Sequence, residues 1–349
     1  MLKRKFIFSI NLSIALAIGG CSTATSLPSS NTPHEPLSLV KNIPIHEVTG
    51  GDFDHFAIDY ARNVLYVPSE VYGSIEVFNL KTGKHLLSAT GISKSPHLLQ
   101  FIPDNDELFV VDANNASCDV LDPTDLHLVK RIALEPGPDA GTYDPASRTL
   151  YLGNGGRRAK SKFSYVSLIS VDRKEVIGRI RVEAETLKAM LIDHKSNRLF
   201  VNMRDKSQIG VIDLNSRSVV KTLTYPGLNS NAAMAFDEEH HRLFIGSRDP
   251  GMLFVIDSNS GRLISTMKTV NISDDMTFDA AQRRLIVSGA DGADVFSQDD
   301  PDNYRLIQHV DTFGGKTSVY VPSLKQFYVV HTKGAQSNEA GLQIFRVND

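Results

Sequence analysis

Seven copies of one short text predict an all-β chain folded as a seven-bladed β-propeller of four-stranded antiparallel blades. An apolar triplet entered from a polar turn recurs as Leu65-Tyr66-Val67, Leu108-Phe109-Val110, Leu150-Tyr151-Leu152, Leu199-Phe200-Val201, Leu243-Phe244-Ile245, Leu285-Ile286-Val287 and Phe327-Tyr328-Val329. Successive first residues lie 43, 42, 49, 44, 42 and 42 positions apart. Each copy holds four short strands punctuated by Gly, Asn and Asp, with no helix-length apolar period. Four strands per roughly 43 residues is the signature of a propeller blade. The ends are complementary. The chain finishes on Leu342-Gln343-Ile344-Phe345, a third strand, while Leu39-Val40-Lys41-Asn42-Ile43-Pro44-Ile45 reads like the fourth strand Leu128-Val129-Lys130-Arg131-Ile132. The N-terminal strand is therefore expected to close the last blade, removing the open edge of a linear array.

From the start of the chain, Lys3-Arg4-Lys5 precede an apolar run from Phe6 to Ile18, too short for the about 20 residues that span a bilayer. Ile18-Gly19-Gly20-Cys21 follows and resembles a bacterial lipobox. That resemblance implies cleavage before Cys21, acylation of its sulfur and amine, and stable anchoring by several acyl chains. Ser22 rather than Asp fits export to the outer membrane, with the protein facing the periplasm. Residues 1–20 are thus a lipoprotein signal peptide, and the Ser/Thr/Pro-rich stretch 21–36 a flexible tether. Residues 37–349 are the propeller.

With Cys21 lipidated, only Cys118 remains, so the domain has no internal disulfide and rests on its apolar core. Cys118 lies in a strand-like stretch and is expected to be buried and inert. Removing the signal peptide leaves 34 Lys and Arg against 40 Asp and Glu. That mild acidity argues against nucleic acid as a partner, since phosphate contacts need clustered positive charge.

Within each repeat, Asp59, Asp144, Asp193, Asp237 or Asp279 stands six residues before the triplet in five copies; Ile102-Pro103 and Val321-Pro322 take its place in the others. These aspartates read as turn formers that bond their own backbone, and His240-His241 as surface variation in one such turn. The triplets, with Val211-Ile212-Asp213 and Val255-Ile256-Asp257 downstream, resemble the YVTN repeat. The whole of residues 37–347 is similar to bacterial exported YncE-like seven-bladed propellers, notably in Asp54-His55-Phe56-Ala57-Ile58-Asp59 and Asp274-Asp275-Met276-Thr277-Phe278-Asp279. The resemblance implies the fold and brings no catalytic motif.

A site is sought where the first strands enter the central channel. Eleven residues before each triplet stand Asp54, His97, Asp139, Lys188, Ala232, Asp274 and Lys316, thickened by Asp52, His55, Glu185, Asn231 and Asp275. Such a ring can hold a cation, a sugar or a peptide carboxylate. The long loops face the same way: Gly153 to Phe163, carrying Arg157, Arg158, Lys160 and Phe163, and His331 to Ala340. Sharper motifs fail. Gly314-Gly315-Lys316-Thr317 has Val310 where a P-loop needs glycine, and there is no Gly-x-Ser-x-Gly elbow and no Trp.

The leading expectation is a monomeric, non-catalytic binding or scaffold module of the cell envelope. It needs no cofactor and takes a protein, peptide or glycan at the channel mouth. Two alternatives stand beside it. One is a metal-dependent hydrolase or lyase, lactonase-like, with a divalent cation held by Asp54, His97, Asp139 and Asp274. The other is an accessory subunit of a periplasmic oxidoreductase.

Overall fold

The computed structural model describes residues 35–334 and 336–349. The signal peptide, Cys21 and most of the tether lie outside these residues. The described chain forms seven four-stranded antiparallel sheets arranged as the blades of a propeller. Blade one holds Ala57–Asp59, Val64–Ser69, Ser74–Asn79 and His85–Thr90; blade two Pro96–Ile102, Glu107–Asp112, Ser117–Leu121 and Leu128–Ala133. Blade three holds Gly141–Asp144, Thr149–Gly155, Ser164–Ser170 and Glu175–Val182; blade four Leu187–Asp193, Arg198–Met203, Gln208–Asp213 and Ser218–Leu223. Blade five holds Met234–Asp237, Arg242–Arg248, Gly251–Asp257 and Leu263–Lys268; blade six Asp275–Asp279, Arg284–Gly289, Gly292–Asp300 and Asn303–Val310. Blade seven is Thr317–Val321, Gln326–His331, Ala340–Val347 and, as its outermost strand, Leu37–Ile45.

That last pairing closes the ring as expected. Leu37 lies opposite Val347 and Ile45 opposite Ala340 in an antiparallel ladder. Gln308, from blade six, locks the join: the Leu37 backbone N–H donates to its Oε1 at 2.7 Å, and its Nε2 donates to the Leu37 carbonyl at 2.8 Å.

The triplets are uniformly apolar because both faces of each second strand are covered by neighbouring blades. Leu65, Tyr66 and Val67 are all buried, as are Leu199, Phe200 and Val201. The core is accordingly not one mass but seven seams. One packs Phe109, Val111 and Val120 of blade two on Leu150, Leu152 and Ile169 of blade three. Another packs Leu65 and Phe78 on Tyr328, Leu342 and Ile344 across the closure. Each buried Leu, Ile or Phe contributes about 1.5–3 kcal/mol. The fourth strands face solvent: four of the first five residues of Leu128–Ala133 are exposed. Every third-to-fourth pairing is broken by a register shift, as between Val77 and Phe78 or Leu39 and Lys41, with two in blade six, which adds twist to the blade edge.

The inner turns are as the repeat implies. The Arg62 backbone N–H donates to Asp59, Ser196 to Asp193, His240 to Asp237, and Ala281 to Asp279. Ala146 does so to Asp144 at 2.9 Å. Two residues before each triplet the chain is left-handed in all seven blades: Asn63, Asp106, Arg148, Asn197, His241, Arg283 and Lys325 have φ between 48° and 58°. His241 is therefore a backbone position as much as a surface one. Cys118 is fully buried, and burial pushes its thiol pKa up, out of the reactive range.

Candidate binding site at the channel mouth

The segments that precede the first strands are held by carboxylates from the neighbouring turns. Asp112 accepts from the backbone N–H groups of Lys94 and Ser95, and Asp205 from those of Glu185 and Thr186. Asp291 accepts from that of Asn271. Side chains borne on these segments are thus set by fixed backbone.

On this frame most of the expected ring converges. His97 Nδ1 lies 2.8 Å from Asp54 Oδ2, joining blade two to blade one, and 3.6 Å from Asp139 Oδ1 in blade three. Lys188 of blade four donates to Asp139 Oδ2 at 2.7 Å. Farther round, Arg248 Nη2 is 3.3 Å from Asp274 Oδ1, and Lys316 Nζ is 3.4 Å from Asp274 Oδ2. Lys316 also pairs with Asp52, returning the circuit to blade one. His55 occupies the throat, with Nε2 at 3.2 Å from Asp54 Oδ1 and Nδ1 at 3.1 Å from Asp275 Oδ1 in blade six. Asp275 in turn accepts from the Ser318 backbone N–H at 2.8 Å.

The electrostatics follow from this pairing. Burial disfavours a charged His97, but hydrogen bonds to Asp139 and Asp54 outweigh it and push its pKa up to about 10. His55 behaves alike, burial being overcome by Asp54 and Asp275, and also rises to about 10. Burial raises Asp54 and Asp139, yet their cationic neighbours, His55 and His97 for the first and Lys188 and His97 for the second, hold both below the usual carboxylate range. Glu70 is the exception: burial and the nearby Asp54 carboxylate push it up to about 8.

A cleft of about 320 Å³ opens beside this circuit between blades one and four. Glu70, His97, Asp139, Lys188, Arg157 and Arg204 bring charge to its wall. Its other rim is the long loop of blade three. The loop is shorter than the sequence suggests, because Gly153, Asn154 and Gly155 continue the second strand opposite Val166, Tyr165 and Ser164. A single 3₁₀ turn, Gly156–Ala159, follows. Gly156 has φ +60°, and a Cβ there would run into the Glu185 carbonyl oxygen. The same close approach lets the Arg157 backbone N–H donate to that oxygen at 3.0 Å, stitching the loop to blade four.

The remaining expected residues are placed differently. Arg157 and Arg158 line the cleft, and Arg158 Nη1 donates to Asn114 at 3.4 Å. Lys160 is an exposed left-handed residue ending the turn. Phe163 packs edge-on to Tyr165 and carries the Arg181 guanidinium 3.7 Å above its ring. Asn231 is inside the wall, fully buried, donating to Asn202 Oδ1 and to the Gln208 carbonyl.

Three residues that the counting of first strands missed stand out: Glu70, Arg204 and Arg248. All lie five positions after the first residue of a triplet, where the second strand ends at the mouth. The other blades carry Ala113, Gly155, Ala290 and Thr332 there. The same ruler, run forward instead of back, finds them.

These features define a class: a seven-bladed β-propeller with a charged channel mouth and a small-molecule-sized cleft at its rim. No protein-family model matches the chain, and no curated protein does. Among solved structures it is similar to a chain of Kuenenia stuttgartiensis hydrazine synthase, with a TM-score of 0.70 over 86% of this chain and 97% of that one. The sequence identity is 15%, so the likeness is one of fold.

Proposed function

We propose that this protein is a binding module of the cell envelope, tethered through lipid on Cys21, that takes its ligand at the channel-mouth cleft. The observation that carries this is the pairing around the ring. Asp54, Asp139 and Asp274 each already meet a cationic partner, at 2.8, 2.7 and 3.3 Å. Such carboxylates are preorganised to orient a polar ligand and are not free to open a coordination shell. The YVTN-like triplets and the lipobox-like Ile18-Gly19-Gly20-Cys21 support an exported, YncE-like protein.

The test is native isolation from envelopes followed by mass spectrometry of what co-purifies, beside a Glu70→Gln/Arg158→Ala variant. Both side chains line the cleft; Glu70 lies 3.9 Å from His97 Nδ1, outside the closer His97–Asp54 and Lys188–Asp139 pairs. Loss of the ligand from the variant is expected; identical retention would place binding elsewhere. Anchoring is read by Cys21→Ala, which should move the protein from the membrane fraction to the soluble one.

A metal-dependent reading is favoured by one specific geometry. Asp54, Glu70 and His97 each offer a ligand atom, and these atoms lie within 4.8 Å of one another. A divalent ion there would have to displace the proton on His97. A thermal shift with Zn²⁺ or Mn²⁺ that disappears in Asp54→Ala would support this reading over the first.

A further inference from the structure

Six of the seven steps around the channel mouth are closed by a cation on one blade facing a carboxylate on the next. His97 meets Asp54 and Asp139, Lys188 meets Asp139, Arg248 meets Asp274, and Lys316 meets Asp274 and Asp52. The seventh step, from blade four to blade five, is different. Its ring position is Ala232; on one side Arg204 follows the second strand of blade four, and on the other Arg248 ends that of blade five. Asp274 pairs with Arg248, and among the described residues no carboxylate lies within ion-pair distance of Arg204.

We infer that Arg204 and Arg248 form an oxyanion subsite at this step, which takes the carboxylate or phosphate group of the cleft's ligand. The inference rests on the binding reading above and names the chemistry it would select.

Arg248 is 8% exposed, and its Nε has no hydrogen-bond partner among the described residues. Its one acidic neighbour, Asp274, is shared with Lys316. The guanidinium of Arg204 finds no acceptor among the described residues. Burial and then the neighbouring Arg248 lower its pKa, against the smaller opposing pull of Asp274 and Asp139. A guanidinium edge buried without an acceptor, as at Arg248 Nε, is costly. An oxyanion between the two would satisfy both forks with charge-assisted bonds of the bidentate kind that carboxylate and phosphate accept.

Arg157 supplies a third positive group from the loop of blade three. It lines both the main cleft and an adjoining recess of about 180 Å³ with Thr186, Arg204, Asp205 and Ser230. Asp205 in the recess wall is turned to other partners: its Oδ1 accepts from the backbone N–H groups of Glu185 and Thr186, and its Oδ2 lies 3.8 Å from Lys206 Nζ. Residues at the same position in blades two, three and six are Ala113, Gly155 and Ala290, too small to reach an anion. Two arginines on adjacent blades are thus specific to this sector.

The test titrates the full-length protein with inorganic phosphate and, separately, with succinate, against sodium chloride at matched ionic strength. Melting temperature and calorimetric binding are read together. Saturable binding of at least one anion is expected, weakened at least tenfold in Arg204→Gln and in Arg248→Gln, and less in Arg204→Lys. Arg179→Gln, at the outer edge of blade three, should leave it unchanged. Which anion binds tells carboxylate from phosphate. Binding of neither beyond the chloride control overturns the inference, as does equal binding in the arginine variants. If Arg248→Gln fails to fold, the Nε–Hε resonances of the native protein decide: no shift of Arg204 or Arg248 with saturating anion also overturns it. Retention of a co-purified ligand by the Arg204→Gln/Arg248→Gln protein, with its loss from Glu70→Gln/Arg158→Ala, would refute the subsite and leave the cleft standing.

Discussion

Replacing Glu70 by Gln should make this protein more stable at alkaline pH while changing little at pH 5. Glu70 lines the cleft and lies near Asp54 and Asp52, and burial followed by the Asp54 charge moves its pKa from an ordinary 4.5 to about 8. Below 4.5 both folded and unfolded chains hold the proton. Between 4.5 and about 8 the unfolded chain loses it and the folded chain keeps it, so stability falls as pH rises, and above about 8 the loss is complete. At about 1.4 kcal/mol per tenfold the ceiling is about 5 kcal/mol. The side chain remains 24% exposed, so solvent screening brings the expected effect to about 2–3 kcal/mol. Gln keeps the shape and cannot ionise, so it escapes this loss. For roughly 315 folded residues, at about 2.1 cal/mol/K each, the gain is about 4 °C in melting temperature at pH 9. Calorimetric melts of both proteins at pH 5 and pH 9 measure it. A difference between them that does not grow with pH would refute a proton held by Glu70 in the folded state.

Three further outcomes follow from the geometry. His97, raised to about 10 by Asp139 and Asp54 against its burial, stabilises the fold fully below about 6.5 and loses that contribution as pH rises through about 10. Its imidazole resonances should therefore stay in the protonated form at pH 8, and titration near 6.5 would contradict the pairing. Lys188→Met leaves Asp139 with His97 alone and should cost about 2–4 kcal/mol in denaturant melts; adding Asp139→Asn should restore most of it, and additivity would deny the coupling. Gln308→Ala removes both bonds to Leu37 and should cost about 1–3 kcal/mol. It should also speed hydrogen exchange at Leu37–Ile45 before any other blade, and uniform exchange would show that the closure is not held there.

The sequence alone determined the number of blades, their boundaries and the closure, because a blade is a local object. An Asp that bonds its own turn, present in five copies, and three successive apolar side chains, present in seven, both act within about a dozen residues, so repetition makes them visible. Counting along the chain also placed Asp54, His97, Asp139, Lys188, Asp274 and Lys316 on one ring, since equivalent positions of equivalent blades must share a level.

What only the tertiary structure decided is who faces whom. The pairing of His97 with both Asp54 and Asp139 joins three blades, and His55 reaches from blade one to Asp275 in blade six. No spacing encodes these contacts. Asn231 adjoins the counted position Ala232 but turns into the wall, and Phe163 turns to Arg181, because a side chain's direction depends on what its neighbours leave open. The gap between blades four and five is likewise invisible in the chain. Arg204 and Arg248 stand 44 residues apart, each an ordinary strand-end arginine. Only when the ring closes do they come near each other, and the Arg248 guanidinium edge, unremarkable in water, becomes, once buried without an acceptor, a reason to expect a ligand.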